Sequence, residues 1–452
     1  MNILQISTYD ICGGAEKIAW SLHDSYKNRG YAAWLAVGYK KSEDSNILLI
    51  PNDIYRSRWW KLWRKIGNRL VSMGNKIRGI DRLGNFLRYQ VAQPQRWLYK
   101  KLGYEDYNFP ASQYLLSLPP QKPDILHCHN LHGDYFDLKS LSYLSRKVPV
   151  LLTLHDAWLL GGHCSHSFDC ERWKIGCGQC PDLTIYPPIK KDAAAYNWQR
   201  KRNIYKKSKL YLATPSHWLM QKVKQSILSQ AIIESRIIPN GVDLSVFKPY
   251  DKQSSRKELS ISEEAKVILF TANGIYKNPF KDYLTLRHAV DILAHNVQDY
   301  KLVLIALGED RHTEQIGKVK IEFVPFQKNP LTVARYYQSA DIYVHAAKAE
   351  TFPNTILESL ACGTPVIATA VGGIPEQIED RKTGFLVPPG NAESMATAVQ
   401  NLLRDEELRQ RMGIQAAESA RRFSLERMTD DYLEWYQEIL ERYYEGRYKR
   451  GL

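Results

Sequence analysis

The strongest constraint on this chain is an alternation of short buried strands and helices that runs, stops and starts again. Ile3 to Ile6 reads as a buried strand, followed by the turn Asp10-Ile11-Cys12-Gly13-Gly14. Ala15 to Asn28 then reads as a helix ended by Gly30, and Ala32 to Val37 as a second strand. Asp124 to Cys128, Val148 to Leu154, Leu210 to Ala213 and Ile237 to Ile238 are expected to be further strands. The pattern restarts with Val267 to Phe270, Lys301 to Leu307, Ile321 to Val324, Ile342 to Val344, Val366 to Ala368 and Phe385 to Val387. Apolar strands alternating with helices call for a parallel sheet covered on both faces. Two such runs predict an α/β chain of two Rossmann-like lobes, and 452 residues are too many for one ordinary core. Gly241, Pro249 and clustered polar residues mark the break between them. The expected division is 1–245, 246–424 and a C-terminal helix over 425–452. The first lobe carries an insertion over about 52–117 and a cysteine loop over 161–181.

The net charge is +14, which directs attention to anionic partners. Between Arg56 and Lys101 stand thirteen Lys and Arg residues against one acid, Asp81, so this segment alone holds +12. A basic surface spread over the whole protein is thereby excluded. The same segment carries Trp59, Trp60 and Trp63, and Trp59, Trp63, Ile66 and Leu70 recur at helical spacing. Tryptophan beside arginine on an amphipathic helix suits an anionic membrane surface. A basic helix whose tryptophans pack on the parent lobe, and a nucleic-acid site, are the alternatives. No run of about 18 apolar residues suggests a membrane span. The first residues, MNILQIST, do not read as a secretion signal.

Four of the seven cysteines, Cys164, Cys170, Cys177 and Cys180, fall in GGHCSHSFDCERWKIGCGQCP. Four thiolates in one short loop suit a closed structural zinc site. Free or redox-sensitive thiols, and disulfides, remain open. Gly13-Gly14 after the first strand suits either a phosphate at a helix N-terminus or a tight turn. His127, His129 and His132 read either as a metal cluster or as a strand-end edge with capping roles.

The most informative stretch is AETFPNTILESLACGTPVIATAVGGIPEQI, residues 349–378. Pro353 and Asn354 mark a helix start and Gly363 its end. Glu350 then sits in the loop before the helix and Glu358 one turn inside it. Amides of about Asn354 to Ile356 would point at a diphosphate, with one carboxylate on either side for hydroxyls. Thr355-x-x-Glu358 is also a capping box, a structural alternative for Glu358.

The E-x7-E core, followed by ACGTPVIATAVGGIPE and GFLVPPGN, resembles the retaining nucleotide-sugar glycosyltransferases of family 4. The hinge-like IPNGVDLSVFKP at 238–249 and Gly13-Gly14-Ala15-Glu16 fall in the family's order. The TLHDAW run and the four-cysteine loop look like a subgroup of bacterial exopolysaccharide transferases. The resemblance spans nearly all of the chain except the basic insertion. It implies the GT-B fold: two lobes facing across a cleft, with the C-terminal helix returning to the first.

It also implies roles by position. Glu358 holds ribose hydroxyls, and Glu350 contacts the donor sugar near the reacting carbon. Amides around Phe352, Pro353, Asn354 and Thr355 hold phosphates, helped by Gly13 and Gly14. Lys281 matches the diphosphate lysine. The arginine usual a few residues earlier is absent from NGIYKNPFK, and Lys277 stands in its place. His155 matches the histidine that faces the donor sugar, although a core histidine paired with Asp156 is its structural alternative. The expected reaction moves a sugar from a nucleotide diphosphate to a glycan or lipid-linked oligosaccharide, without a catalytic metal. The expected place is the cytoplasm, peripheral at the inner face of the membrane. A sugar-binding protein of the same fold without turnover is the alternative, and a nucleotide-sugar epimerase fits the E-x7-E region poorly.

Overall fold

A computed structural model describes residues 1–74, 79–296 and 300–448. The chain divides into two compact units. One holds Met1–Thr214, Met220–Ile237 and the chain from Glu434 onward; the other holds Pro215–Leu219 and Ile238–Leu433.

The first unit is built on a seven-stranded parallel sheet. Its strands are β1 (Asn2–Tyr9), β2 (Ala32–Tyr39), β3 (Ile47–Leu49), β4 (Ile125–Cys128), β5 (Val150–Thr153), β6 (Leu210–Thr214) and β7 (Ile232–Ile237), in the order β3-β2-β1-β4-β5-β6-β7. The second unit has β8 (Lys266–Thr271), β9 (Leu302–Leu307), β10 (Glu314–Ile316), β11 (Val319–Val324), β12 (Ile342–His345), β13 (Val366–Thr369) and β14 (Gly384–Val387). They lie in the order β10-β11-β9-β8-β12-β13-β14, with only β10 antiparallel. The fully buried apolar runs of β4, β5, β12 and β13 are what a sheet covered on both faces requires. Each sheet reverses its strand order once, between β1 and β4 and between β8 and β12. Ligand sites of open α/β sheets form at the C-terminal ends of strands at such a reversal.

The strand expected at Ile237 to Ile238 instead ends at Ile237 and begins at Ile232. Glu234 and Arg236 interrupt the apolar run, and the C-terminal helix Leu425–Tyr448 receives their charges. Glu234 accepts from Trp435 Nε1 at 2.8 Å and pairs with Arg442 at 2.7 Å. The units divide at Ile237/Ile238, eight residues before the expected 245/246. The reason is that Val242 bridges Ser424, and both Val242 and Phe247 sit in the core of the second unit. From Glu434 on, the C-terminal helix belongs to the first unit, where Trp435 and Tyr436 are fully buried.

The basic insertion is helical. Helix α1 (Gly14–Asn28) precedes it, and the insertion forms α2 (Arg58–Ser72), α3 (Ile80–Phe86), a π-helical turn (Leu87–Val91) and α4 (Pro94–Leu102). Lys76 and Arg78 lie outside the described residues. The backbones of α2 and α3 touch at two glycines: a Cβ on Gly67 would lie 2.7 Å from Gly84 O, and one on Gly84 2.8 Å from Gly67 O. No described helix is long and apolar enough to cross a membrane.

Candidate active site

The second unit gathers its polar groups at the ends of β8, β12 and β13. The loop after β8 is stitched to the loop after β12. Lys348 N donates to Phe280 O at 2.8 Å, Asp282 N to Ala346 O at 3.1 Å, and Lys281 bridges Ala347. This brings Lys281 Nζ onto Glu350 Oε1 and within 3.3 Å of His345 Nε2, which is itself 3.3 Å from Glu350 Oε1. The loop after β13 presses on the same backbone. Gly372 has φ +58°, and a Cβ there would lie 1.7 Å from Glu350 O, so no side chain fits.

Helix Asn354–Ala361 follows Glu350, with Pro353 at its N-cap and no side-chain cap. The capping box is therefore not made. Glu358, buried, instead accepts from Tyr337 OH at 3.0 Å. The cap-free turn leaves the helix N-terminus suited to an anion. Phe352 is buried against Phe423, so only its backbone faces the site. Asn240 Nδ2 fixes the turn by donating to Phe352 O at 3.1 Å and to Asn354 Oδ1 at 3.0 Å.

A run of buried polar side chains lies between the two glutamates. From Glu350 it runs to His345 Nε2, then from His345 Nδ1 to Tyr343 OH at 2.8 Å and from Tyr343 to Thr271 Oγ1 at 3.0 Å. Thr271 lies 3.4 Å from Tyr337 OH, which donates to Glu358. Burial alone would raise the Glu350 carboxyl. The Lys281 charge and the His345 hydrogen bond outweigh it and hold it down to about 2. Burial and the same Lys281 charge lower His345 to about 4, so it is neutral at physiological pH. His345 is a residue that sequence reasoning missed; it reads there as an ordinary strand end.

The first unit places His155 at the end of β5 and His129 at the end of β4. Gln5 Nε2 donates to Ala19 O at 3.1 Å and lies 3.1 Å from His129 Nε2. A carbonyl only accepts, so the Gln5 amide must present its NH2 there, and His129 Nε2 must accept the second proton. His129 then donates from Nδ1 to His155 Nε2 at 3.0 Å, which leaves His155 with its proton on Nδ1. Burial lowers His155 to about 4. Asp156 binds His132 Nε2 at 2.7 Å, and its charge also acts on the neighbouring His155. Burial works against both charges of that pair, but each partner outweighs it, raising His132 and lowering Asp156. His127 is occupied by Thr153 at 2.7 Å and Tyr436 at 2.5 Å. The three histidines of HCHNLHG thus bind different partners.

Gly13 caps α1, and its N–H is taken by Glu16 Oε2 at 3.0 Å, so a carboxylate already occupies part of the expected phosphate position beside Gly14. Lys277 is exposed in the loop that carries Lys281. Cys164, Cys170, Cys177 and Cys180 are free thiols. Burial pushes Cys164 up to about 12 and Cys177 to about 11, and His163 Nε2 lies 3.2 Å from Cys180 Sγ. Among the described residues no three His, Cys, Asp or Glu side chains are arranged to hold a metal ion.

Two family models match the chain: Glycosyltransferase Family 4 over residues 12–246 and Glycosyl transferases group 1 over residues 251–419. WcaC of Escherichia coli (strain K12), whose name places it in colanic acid biosynthesis as a glycosyl transferase, is 25% identical over 471 residues. That match covers 97% of this chain and 100% of the relative. N-acetyl-alpha-D-glucosaminyl L-malate synthase of Bacillus anthracis is 30% identical over 234 residues, 50% of this chain and 58% of that protein. Among solved structures, Anabaena Alr3699/HepE in complex with UDP-glucose gives a TM-score of 0.59 at 15% identity, covering 97% of this chain and 100% of that one. Sucrose-phosphate synthase from Thermosynechococcus elongatus gives 0.59 at 16%, covering 97% and 99%. These two likenesses bear on the fold.

Proposed function

The chain belongs to glycosyltransferase family 4, and on that footing we propose that it moves a sugar from a nucleoside diphosphate to an acceptor hydroxyl with retention of configuration. The observation that carries this reading is the meeting of Lys281, Glu350 and His345 beside the uncapped N-terminus of helix Asn354–Ala361, with Glu358 one turn inside it. A departing diphosphate develops negative charge. The Lys281 ammonium and the helix amides stand where they stabilise it. The Glu350 carboxylate, kept ionised by Lys281, faces the sugar carbon as positive charge builds there. Glu358, oriented by Tyr337, takes the ribose hydroxyls. The acceptor is a glycan or a lipid-linked oligosaccharide of surface polysaccharide synthesis, a class to which the name of the WcaC relative points. The bound nucleoside diphosphate has a parallel in HepE, solved with UDP and with UDP-glucose.

A panel of nucleotide sugars, read by released nucleoside diphosphate and by the anomeric configuration of the product, tests the reading. Binding of donors without turnover of any of them would overturn it, as would an inverted product.

Two further results are expected. Glu358→Ala should weaken nucleoside diphosphate binding about tenfold to a hundredfold, the loss of one or two charged hydrogen bonds, and change turnover at saturating donor by less than about threefold. Titration calorimetry with the free nucleotide measures the first part. Turnover should also survive EDTA, because Lys281 and the amides meet the leaving group. Activity lost to EDTA and recovered only with added magnesium or manganese would contradict that assignment.

A further inference from the structure

The face of α2 turned to solvent has no role in the reaction described above. Arg58, Lys61, Leu62, Lys65 and Arg69 are all exposed, and their spacing places them along one stripe of the helix. No acid lies on α2. Arg64 leaves the stripe: it stacks over Trp60 at 4.8 Å and lies 3.8 Å from Asp53. Lys61 Nζ donates to Ile54 O. Arg58, Lys65 and Arg69 have no carboxylate partner among the described residues. Farther along the insertion, Arg96 and Lys100 are paired with Asp134.

Trp60 is 7% exposed, whereas Trp59 is 52% and Leu62 53% exposed. Leu83 and Phe86 on α3 are exposed as well. The Gly67–Gly84 contact locks α2 against α3, so the stripe is presented by a preformed support.

We propose that the exposed stripe of α2 seats the protein on an anionic lipid surface. Positive charge without acid is complementary to phosphate head groups, and the aliphatic side chains decide which phosphate. An exposed leucine gains nothing from a sugar-phosphate backbone, while an interfacial lipid layer takes it up. Each basic side chain near such a surface raises affinity about fivefold, so the stripe suffices for reversible docking that salt weakens. The docking does not depend on which sugar is transferred.

Co-sedimentation of the full chain with vesicles tests this. Wild type should bind vesicles of phosphatidylcholine with about 30% phosphatidylglycerol, release them as salt rises toward about molar, and ignore phosphatidylcholine alone. Arg58→Glu/Lys65→Glu/Arg69→Glu should lose roughly a hundredfold or more in vesicle affinity. Its melting temperature and its release of nucleoside diphosphate from soluble donor should match wild type. If that variant fails to fold, the triple Gln variant replaces it, with a smaller loss in the same direction. Equal binding to neutral and anionic vesicles, or wild-type binding by a folded charge variant, overturns the proposal. So does polyuridylate that binds more tightly than the vesicles and displaces them, which would assign the stripe to nucleic acid.

Discussion

Lys281→Met is expected to lower donor turnover about a hundredfold to a thousandfold, and to change how the protein responds to acid. The first effect follows from removing the cation that meets the leaving diphosphate. The second follows from Glu350. Its carboxyl is held at about 2, below its ordinary 4.5, because Lys281 and His345 outweigh the effect of burial. A depressed carboxyl stabilises the fold above its ordinary pKa, and that stabilisation is lost as pH falls through the folded value. Without Lys281 only His345 opposes burial, so the carboxyl rises from that value and Glu350 contributes less stability near neutral pH. Protonation removes the difference. The stability gap between wild type and variant should therefore be widest near neutral pH and close as pH falls from about 4.5 towards 2. His345 steepens the closing, because it protonates more readily once the Lys281 charge is gone. Urea midpoints of both proteins across that range measure the gap. A gap independent of pH would show that Lys281 does not hold the Glu350 charge.

Glu350→Gln should cost a similar hundredfold to thousandfold in turnover, with donor affinity changed by less than about threefold. The amide keeps the shape and a hydrogen-bonding oxygen but has no charge to offer the electron-poor sugar carbon. Single-turnover rates and equilibrium donor binding separate the two quantities. Turnover within tenfold of wild type would remove Glu350 from the chemistry. A large loss of donor binding with turnover intact would give it a binding role instead.

The sheets and the E-x7-E region were legible in the sequence because their signals are local. Buried strands are continuous apolar runs, and Pro353 and Gly363 punctuate the helix between them. β7 was misplaced because Glu234 and Arg236 look incompatible with a strand until Trp435 and Arg442, some 200 residues on, supply their partners. His345 was invisible for a related reason: only the fold of the loop after β8 brings Lys281 to it. The same limit applies to His155. Its neighbour Asp156 is the obvious partner by adjacency, yet successive side chains at a strand end point different ways, and His129 and His132 come in from β4 to take one each. Trp59 and Trp60 differ by one position and by opposite fates, which helical spacing assigns only once the buried side is known.

The buried run from Glu350 to Glu358 has a consequence for how donor preference can change. Groups joined by shared hydrogen bonds are not independent, so the effects of altering them do not sum. On the roles proposed for Glu350 and Glu358, the sugar end and the nucleoside end of the site are linked through Tyr343, Thr271 and Tyr337. A substitution that suits a new base is then also a perturbation of the carboxylate beside the sugar. Exchanging one donor for another along an evolutionary path becomes a concerted problem, in which the interior tyrosines must drift together with the residues that touch the ligand.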